Sequence, residues 1–275
     1  MLLSDKAKKV FVFKETFPES AAKEHAEKKK MDAFGTLTKL KFWDKPKEEE
    51  IINTGVEKRF EPFWFVKARR RVEFRRSTKY SVPITNLDAK IINVNGEEYQ
   101  PRDFPLRVIT IDAVETCAKE IAHESFLDGM KDARKTRDHQ EYLKRYRPEE
   151  VEKPEGEEFL KPEVRGAYLI QEVTSKIAKA VDADEIIADE SEIESMHLYY
   201  RPVFAFEYTW SSKGKIGIVE VDGLSGEVFG NGQSFKKYMG KISDREVLFD
   251  IGAEALNTFV PGGGLAVKII SVATK

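Results

Sequence analysis

FEPFWFVKARRRVEFRR spans residues 60–76 and carries the strongest β-strand signal in the chain. Aromatic residues open it, and apolar and basic side chains then alternate, which predicts a strand because successive strand side chains point to opposite faces. One face is apolar and comprises Trp64, Val66, Ala68, Val72 and Phe74. The other face carries a basic row comprising Lys67, Arg69, Arg71 and Arg75. We expect the apolar face to pack on a core and the basic row to form a binding surface.

Composition restricts the classes of function. The chain has 275 residues, 41% of them hydrophobic, with 46 Lys and Arg against 48 Asp and Glu. This apolar content excludes wholesale disorder, and the charge balance means that any polyanion binding must come from a local patch. Cys117 is the only cysteine, which excludes an internal disulfide and a zinc site built on several thiolates. The sequence shows no signal-peptide pattern and no transmembrane-length apolar run, so we expect a cytoplasmic protein.

Two blocks of opposite charge stand out. Residues 58–79 contain nine Lys and Arg and two Glu, a net charge of +7, whereas residues 182–194 contain seven acids and no base, a net charge of −7. The acidic block supplies the second set of candidate binding residues, which comprises Asp189, Glu190, Glu192 and Glu194. Three interpretations are open. Both blocks are solvated faces, or they recognise each other within the fold or between chains, or the basic row binds a polyanion.

Elsewhere, hydrophobic periodicity predicts strands at 9–13, 198–210, 215–221 and 227–229, and helices over 18–34, 164–181 and 243–259. Apolar residues at helical spacing from Ile111 to Phe126 predict a helix over 110–130, continued as an exposed helix to residue 147. Residues 148–162 are rich in Pro and Glu and are typical of a linker. Asn95-Gly96 predicts a type I′ hairpin turn.

These elements predict an α+β fold with two antiparallel β-sheet units, each packed against amphipathic helices, and a C-terminal helical extension. The expected boundaries are 1–106 for the first unit, 107–162 for a helical connector and linker, and 163–275 for the second unit. An aromatic–charge–proline step occurs in both units, at 60–62 and 200–202, each time followed by strand, turn and strand. This echo suggests an internal duplication, and chance similarity remains the other explanation.

Residues 164–230 also resemble a known unit. A predicted helix is followed by the strand at 203–210 and by the hairpin IGIVEVDGLSGEV, residues 216–228. This arrangement is similar to the PepSY-type unit, in which a helix packs on an antiparallel sheet. The resemblance implies an α+β module with a binding or inhibitory role, although PepSY-like domains generally occur in exported proteins.

Catalytic and metal-binding patterns are weak. Glu120 with His123, and Glu194 with His197, have the i, i+3 spacing that puts two ligands on one helix face, but much of the chain is predicted strand and the further glutamates of a four-helix site are not evident. Cys117 has no base placed beside it and is expected to be a core residue. We therefore expect no catalytic residue, no metal and no cofactor.

The favoured hypothesis is a non-enzymatic interaction or assembly protein that self-associates, or scaffolds another protein, through the two complementary charge blocks. The alternative is binding of nucleic acid or an anionic lipid surface by the basic row. An enzyme with a site built from ordinary residues is a third possibility. Apolar residues near the C-terminus, from Leu265 to Val272, are expected to dock on the core, a partner or a membrane surface.

Overall fold

The computed structural model describes residues 2–34, 47–103, 106–130, 139–230, 248–249 and 268–270. The described residues are mostly β, with 52% of them in strands and 20% in helices. The prediction of two separate α+β sheet units is therefore wrong. One large mixed sheet contains strands from both halves of the chain, because the long strands predicted as the centres of the two units pair directly with each other.

The strands are β1 (Leu2–Ser4), β2 (Lys8–Val12), β3 (Ile51–Pro83), β4 (Ile92–Val94), β5 (Glu97–Tyr99), β6 (Val108–Asp128), β7 (Glu149–Val151), β8 (Glu185–Trp210), β9 (Lys215–Asp222), β10 (Val228–Gly230) and β11 (Lys268–Ile270). The α-helices are α1 (Glu19–Lys29), α2 (His139–Arg145) and α3 (Gly166–Ile177). Short 3₁₀ turns occupy Asp5–Ala7, Lys30–Phe34 and Glu48–Glu50.

The two longest strands, β3 and β8, form the antiparallel centre of the sheet. β6 pairs with the second half of β3 on its outer side. On the other side of β8, the short parallel strands β1 and β2 pair with its first half and β9 pairs antiparallel with its second half. β4 and β5 form a separate hairpin, and its turn residues Asn95 and Gly96 have φ of 54° and 94°. Positive φ at both positions confirms the predicted type I′ turn.

The predicted helix over 110–130 is wrong, because these residues form strand β6. The strand pairs with β3 from Asp128 opposite Phe63 to Val108 opposite Pro83. Its apolar residues also fit a period of two, from Ile109 through Ile111 to Ile121. The β-branched residues and the long pairing partner override the helical spacing.

The predicted linker over 148–162 is also part of the folded structure. It contains β7, which pairs with β2. Phe159 stacks on Phe60 with ring centroids 4.4 Å apart. Of the exposed helix predicted beyond residue 130, α2 is described, and residues 131–138 lie outside the described part. The helix predicted over 243–259 falls on residues of which the structure describes only 248–249.

The apolar face predicted for β3 is confirmed. Trp64, Val66 and Ala68 are fully buried beneath α3, and the indole N–H of Trp64 donates to the carbonyl of Val164 at 2.9 Å. On the same face, α1 packs on the second half of β8 through Ala22. Burial of each large side chain contributes about 1.5–3 kcal/mol. α2 covers the opposite face of the sheet.

The two aromatic–charge–proline steps are neighbours in the sheet and make matching contacts. The carbonyl of Pro62 accepts a hydrogen bond from Gly129, and that of Pro202 accepts one from Gly223, each at 2.9 Å. A Cβ at Gly129 would lie only 2.7 Å from the carbonyl oxygen of Pro62, so this close approach requires glycine. The hairpins β3–β6 and β8–β9 thus each end in a glycine that donates to the carbonyl of the proline before the hairpin, and the internal duplication stays a prediction.

Candidate functional site

The basic row lies on the exposed face of β3 and contacts the acidic block within the same chain. Lys67 Nζ lies 2.9 Å from a carboxylate oxygen of Glu194. Arg69 contacts Glu192 at 2.6 Å and Glu194 at 3.0 Å. We call the surface formed by these side chains and their neighbours on the same face of β3, β6 and β8 the charged ladder.

The rest of the basic row is more loosely held. Arg75 pairs with Glu185 at 2.9 Å, and Arg71 pairs with Glu73 of its own strand at 2.8 Å. Glu190 lies opposite Arg71 in the strand register. The structure therefore brings the basic row together with three of the four acidic candidates, and Asp189 belongs to the other face.

The charged ladder is acidic overall. Hydrogen bonding to Glu194 raises the pKa of Lys67, and hydrogen bonding to Glu192 raises the pKa of Arg69, so both remain charged. The four cations stand among seven carboxylates, which are Glu73, Glu120, Glu124, Glu185, Glu190, Glu192 and Glu194. The net charge of these residues is −3, so a row that is strongly basic in the sequence lies in an acidic surface.

Asp189 and Arg70 form a clamp on the opposite face. The Arg70 guanidinium makes two parallel hydrogen bonds to the Asp189 carboxylate, at 2.8 and 2.7 Å. It also donates to the carbonyls of Ile177 at 3.3 Å and Lys179 at 2.8 Å. A cation at the C-terminal end of a helix donates hydrogen bonds to the last carbonyls of that helix. The Arg70–Asp189 pair therefore fixes α3 on the sheet.

The outer edge of β6 is open. Within the described residues, β6 pairs only with β3, and this 21-residue strand leaves a row of backbone N–H and C=O groups without a strand partner. Its side chains are exposed at alternate positions from Asp112 to Glu124. Such an edge is a template for pairing with another chain. The start of β3 pairs only with β8 among the described strands, so its other edge is also exposed, but this edge is shorter and is interrupted by a bulge between Asn53 and Gly55.

β3 and β6 also project beyond the sheet as a two-stranded arm, formed by residues 76–83 and 108–115 with the connection between them. β8 pairs with β3 only as far as Arg75. Arg76 holds the arm through a 2.7 Å contact with Glu115, and Tyr80 donates to the same carboxylate. Large apolar side chains are exposed on the arm and its connection at Tyr80, Val82, Leu87, Ile91, Leu106 and Val114. A two-stranded ribbon with exposed apolar residues is stabilised by contact with a partner.

Sequence reasoning missed a buried ion network at the junction of β3, β8 and β9. Arg201, only 1% exposed, donates to Glu61 directly opposite it and to Asp222 at 2.7 Å. Arg59 donates to Glu61 at 2.7 Å and to Glu220 at 2.5 Å. All five side chains are buried.

Pairing keeps this network ionised. Burial raises the pKa of Glu61, but the guanidinium groups of Arg201 and Arg59 outweigh burial and hold that pKa below its usual value. Burial, and then the Asp222 carboxylate, raises the pKa of Tyr142, which donates to Asp222 at 2.6 Å. Each charge in the network has a partner of opposite sign. The members lie on three strands and contact the helix α2, so the network joins these elements and its role is structural.

The histidine and cysteine candidates are dispersed. Both Glu–His pairs lie on strands, β6 for Glu120 and His123 and β8 for Glu194 and His197, so the helical geometry considered for a metal does not occur. In the part of the chain that is described, no three His, Cys, Asp or Glu residues are grouped to hold a metal ion. Cys117 is half-buried on β6 rather than on a helix.

One cleft of about 720 Å³ lies between the end of β2, β7 and the first half of β3. Its floor includes the stacked rings of Phe60 and Phe159. On its rim, Lys14 pairs with Glu149 at 2.5 Å, and Lys58 pairs with Glu15. The cleft thus combines an aromatic floor with ion pairs at the rim.

No family model, no curated protein and no solved structure matches the chain. Among the described helices, none combines the length and the apolar character that crossing a bilayer requires.

Two sequence signals could have revealed the missed features. The period of two from Ile109 to Ile121 favours a strand for β6. Recognising this strand is the step that would have brought its edge into consideration. Glu61 and Arg201 each lie between an aromatic residue and a proline in an otherwise apolar stretch of strand, which is typical of buried charges that need an opposite partner. Which strand carries the partner depends on the register, which hydrophobic patterning leaves open.

Proposed function

We propose that the protein is a non-enzymatic assembly protein that self-associates, and that the open edge of β6 and the arm form its contact surface. The observation that carries the proposal is that no described strand pairs with the outer edge of this 21-residue strand. Natural proteins usually pair, cover or shorten such edges because they invite association. The proposal places the assembly in the cytoplasm.

The charged ladder supports this choice of surface. The two complementary blocks contact each other along β3 and β8, so their mutual attraction acts within one chain. A contact between chains is better served by a surface whose groups still need partners, and the backbone of β6 and the apolar side chains of the arm meet this requirement. Val114, on the arm part of β6, is 65% exposed.

The alternative, binding of a polyanion by the basic row, is less well supported. A polyanion is attracted by a local excess of positive charge. Carboxylates surround the row on β6 and β8, and the charged ladder has a net charge of −3. To bind the basic row, a polyanion would have to break the ion pairs that Lys67 and Arg69 form with glutamates. It would also be repelled by the net negative charge of the charged ladder.

The proposal is tested by light scattering and sedimentation across a concentration series. We expect the mass to rise from the 31.5 kDa of one chain to twice that value. The double variant Thr116→Lys and Ala118→Lys places two cations side by side on the exposed face of the β6 edge and is expected to abolish the increase. The matched control is Val56→Lys, which adds a cation beside the shorter, bulged edge of β3 and is expected to leave association unchanged.

A mass that stays at one chain throughout the series would contradict self-association. Association that survives the double variant but is lost in Val56→Lys would show that another edge makes the contact. Circular dichroism of each variant establishes that the fold is retained.

A further inference from the structure

We propose that two copies of the chain pair their β6 strands antiparallel about a two-fold axis at Cys117, so that the two sheets become one continuous sheet. This inference rests on the proposed self-association and specifies its geometry. A two-fold axis perpendicular to the sheet makes the contact isologous, because the same edge is used by both copies, and the assembly closes as a dimer.

The charges of β6 favour this register. With the axis at Cys117, Lys119 lies opposite the partner's Glu115, and the same pair recurs on the other side of the axis. Thr116 faces the partner's Ala118, and Asp112 faces the partner's Ala122. No two like charges lie directly opposite each other among residues 109–125, and opposite charges in cross-strand pairs are stabilising.

Neighbouring registers place like charges together. With the axis at residue 116, Asp112 faces the partner's Glu120, and with the axis at residue 118 it faces the partner's Glu124. An axis at residue 115, 119 or 120 places Glu115, Lys119 or Glu120, respectively, opposite the same residue of the other copy. Directly opposed like charges are destabilising, so the register at Cys117 is selected over these five.

The packing of α3 is compatible with this register. Ser125 of β6 donates to Glu172 of α3 at 3.1 Å, so this side of the helix lies over the end of β6. The helix starts near Trp64, opposite Leu127, and ends near Arg70, opposite Ile121. In the dimer, Ile121 and His123 stand beside the partner's Ala113 and Ile111, so the last turn of α3 is the part of the helix nearest to the partner's arm.

The two helices do not collide on the shared face. The end of α3 nearest to the axis lies at Ile121, four residues from the axis, which corresponds to about 14 Å along the strand. The two α3 helices therefore stand on opposite sides of the axis, separated by more than the diameter of a helix.

Distances between spin labels test the register directly. In a Cys117→Ser background, Asp112→Cys, Ala118→Cys and Ala122→Cys each provide one exposed attachment site. Paired labels at position 118 are expected about 7 Å apart along the strand, and those at 112 and 122 at about 34 Å each. Equal distances at 112 and 122 identify an axis midway between them.

Unequal distances at positions 112 and 122 in a dimer would overturn the register and leave the proposed self-association intact. A chain that remains a monomer in the wild-type sequence would overturn both. The Lys119→Glu variant provides an independent test without labels, because it turns two attractive pairs into repulsive ones. It is expected to weaken dimerisation about ten-fold, whereas Lys119→Gln has a smaller effect, and equal affinities for both variants and the wild type would overturn the register.

Discussion

At the scale of single residues, Arg201 connects three strands of the sheet. Its guanidinium contacts Glu61 of β3 and Asp222 of β9 from its own position on β8. Buried ion pairs contribute little when compared with apolar replacements, but removal of one partner leaves a charge buried and unpaired. A wrong strand register would leave these charges buried without partners and is therefore strongly disfavoured. This role fits the position of the network at the junction of the strands.

We predict that Arg201→Ala lowers the free energy of unfolding by about 3–5 kcal/mol, because Glu61 and Asp222 lose their shared cation. Urea denaturation at neutral pH measures this change. Arg71→Ala, on the exposed charged ladder, is the matched control and is expected to have a much smaller effect. Equal losses in both variants would contradict the account of the network.

Stability is also predicted to depend on His197. Burial, and then the charge of Lys9, lowers the pKa of His197 to about 4, from an unfolded value of 6.5. The neutral ring is therefore favoured in the folded state, and the stability that it contributes at pH 7 is lost as the pH falls from 6.5 towards 4. Because the ring is partly exposed, we expect a loss of about 1–2 kcal/mol between pH 7 and pH 5.

Chemical denaturation of the wild type and of His197→Gln at both pH values isolates this contribution. Carboxylates titrate in both proteins, so the difference between them reports on the histidine. An identical change in stability between pH 7 and pH 5 in the two proteins would contradict the assignment.

At the scale of elements, the sequence predicts β3 well and β6 poorly for a physical reason. β3 alternates large apolar and charged side chains from Trp64 onward, and this contrast fixes its period. β6 is an edge strand whose partly covered face mixes Ile111, Ala113 and Cys117 with charged residues. Its weak alternation also fits a helix, and only the pairing with β3 resolves the ambiguity.

The clamp between Arg70 and α3 yields a prediction for an element. Arg70→Ala removes the hydrogen bonds to Asp189 and to the last carbonyls of the helix, and is expected to cost about 2 kcal/mol. Hydrogen exchange is expected to accelerate first at the C-terminal turn of α3, residues 174–177. Uniform acceleration across the molecule, with no preference for α3, would contradict a local clamp.

Charge reversal tests the charged ladder. Arg69→Glu places three carboxylates together on β3 and β8 and is expected to destabilise the fold, whereas Arg69→Glu combined with Glu192→Arg restores the pair and much of the stability. Thermal unfolding at low and high salt measures both effects, which salt should reduce. A double variant no more stable than the single one would show that the pair contributes nothing.

At the scale of the whole molecule, the sequence predicts the ingredients but not their connection. The predicted strands at 60–76 and 198–210 lie within β3 and β8, which both begin earlier in the chain than predicted, and the helices at 18–34 and 164–181 are close to those observed. Their assembly into one sheet depends on long-range pairing, in which Glu61 lies opposite Arg201 and the acidic block lies beside the basic row. The candidate charges were thus identified from the sequence, and the open edge of β6 was not.

The central claim, that the β6 edge is the contact between copies, is tested most directly by hydrogen exchange at two protein concentrations. In the single chain, no described strand pairs with the outward amides of β6, so we expect them to exchange rapidly. We predict that exchange across residues 111–123 slows as the mass doubles, while exchange at the start of β3, residues 51–59, does not change. A doubled mass with unchanged exchange in β6 would contradict the account.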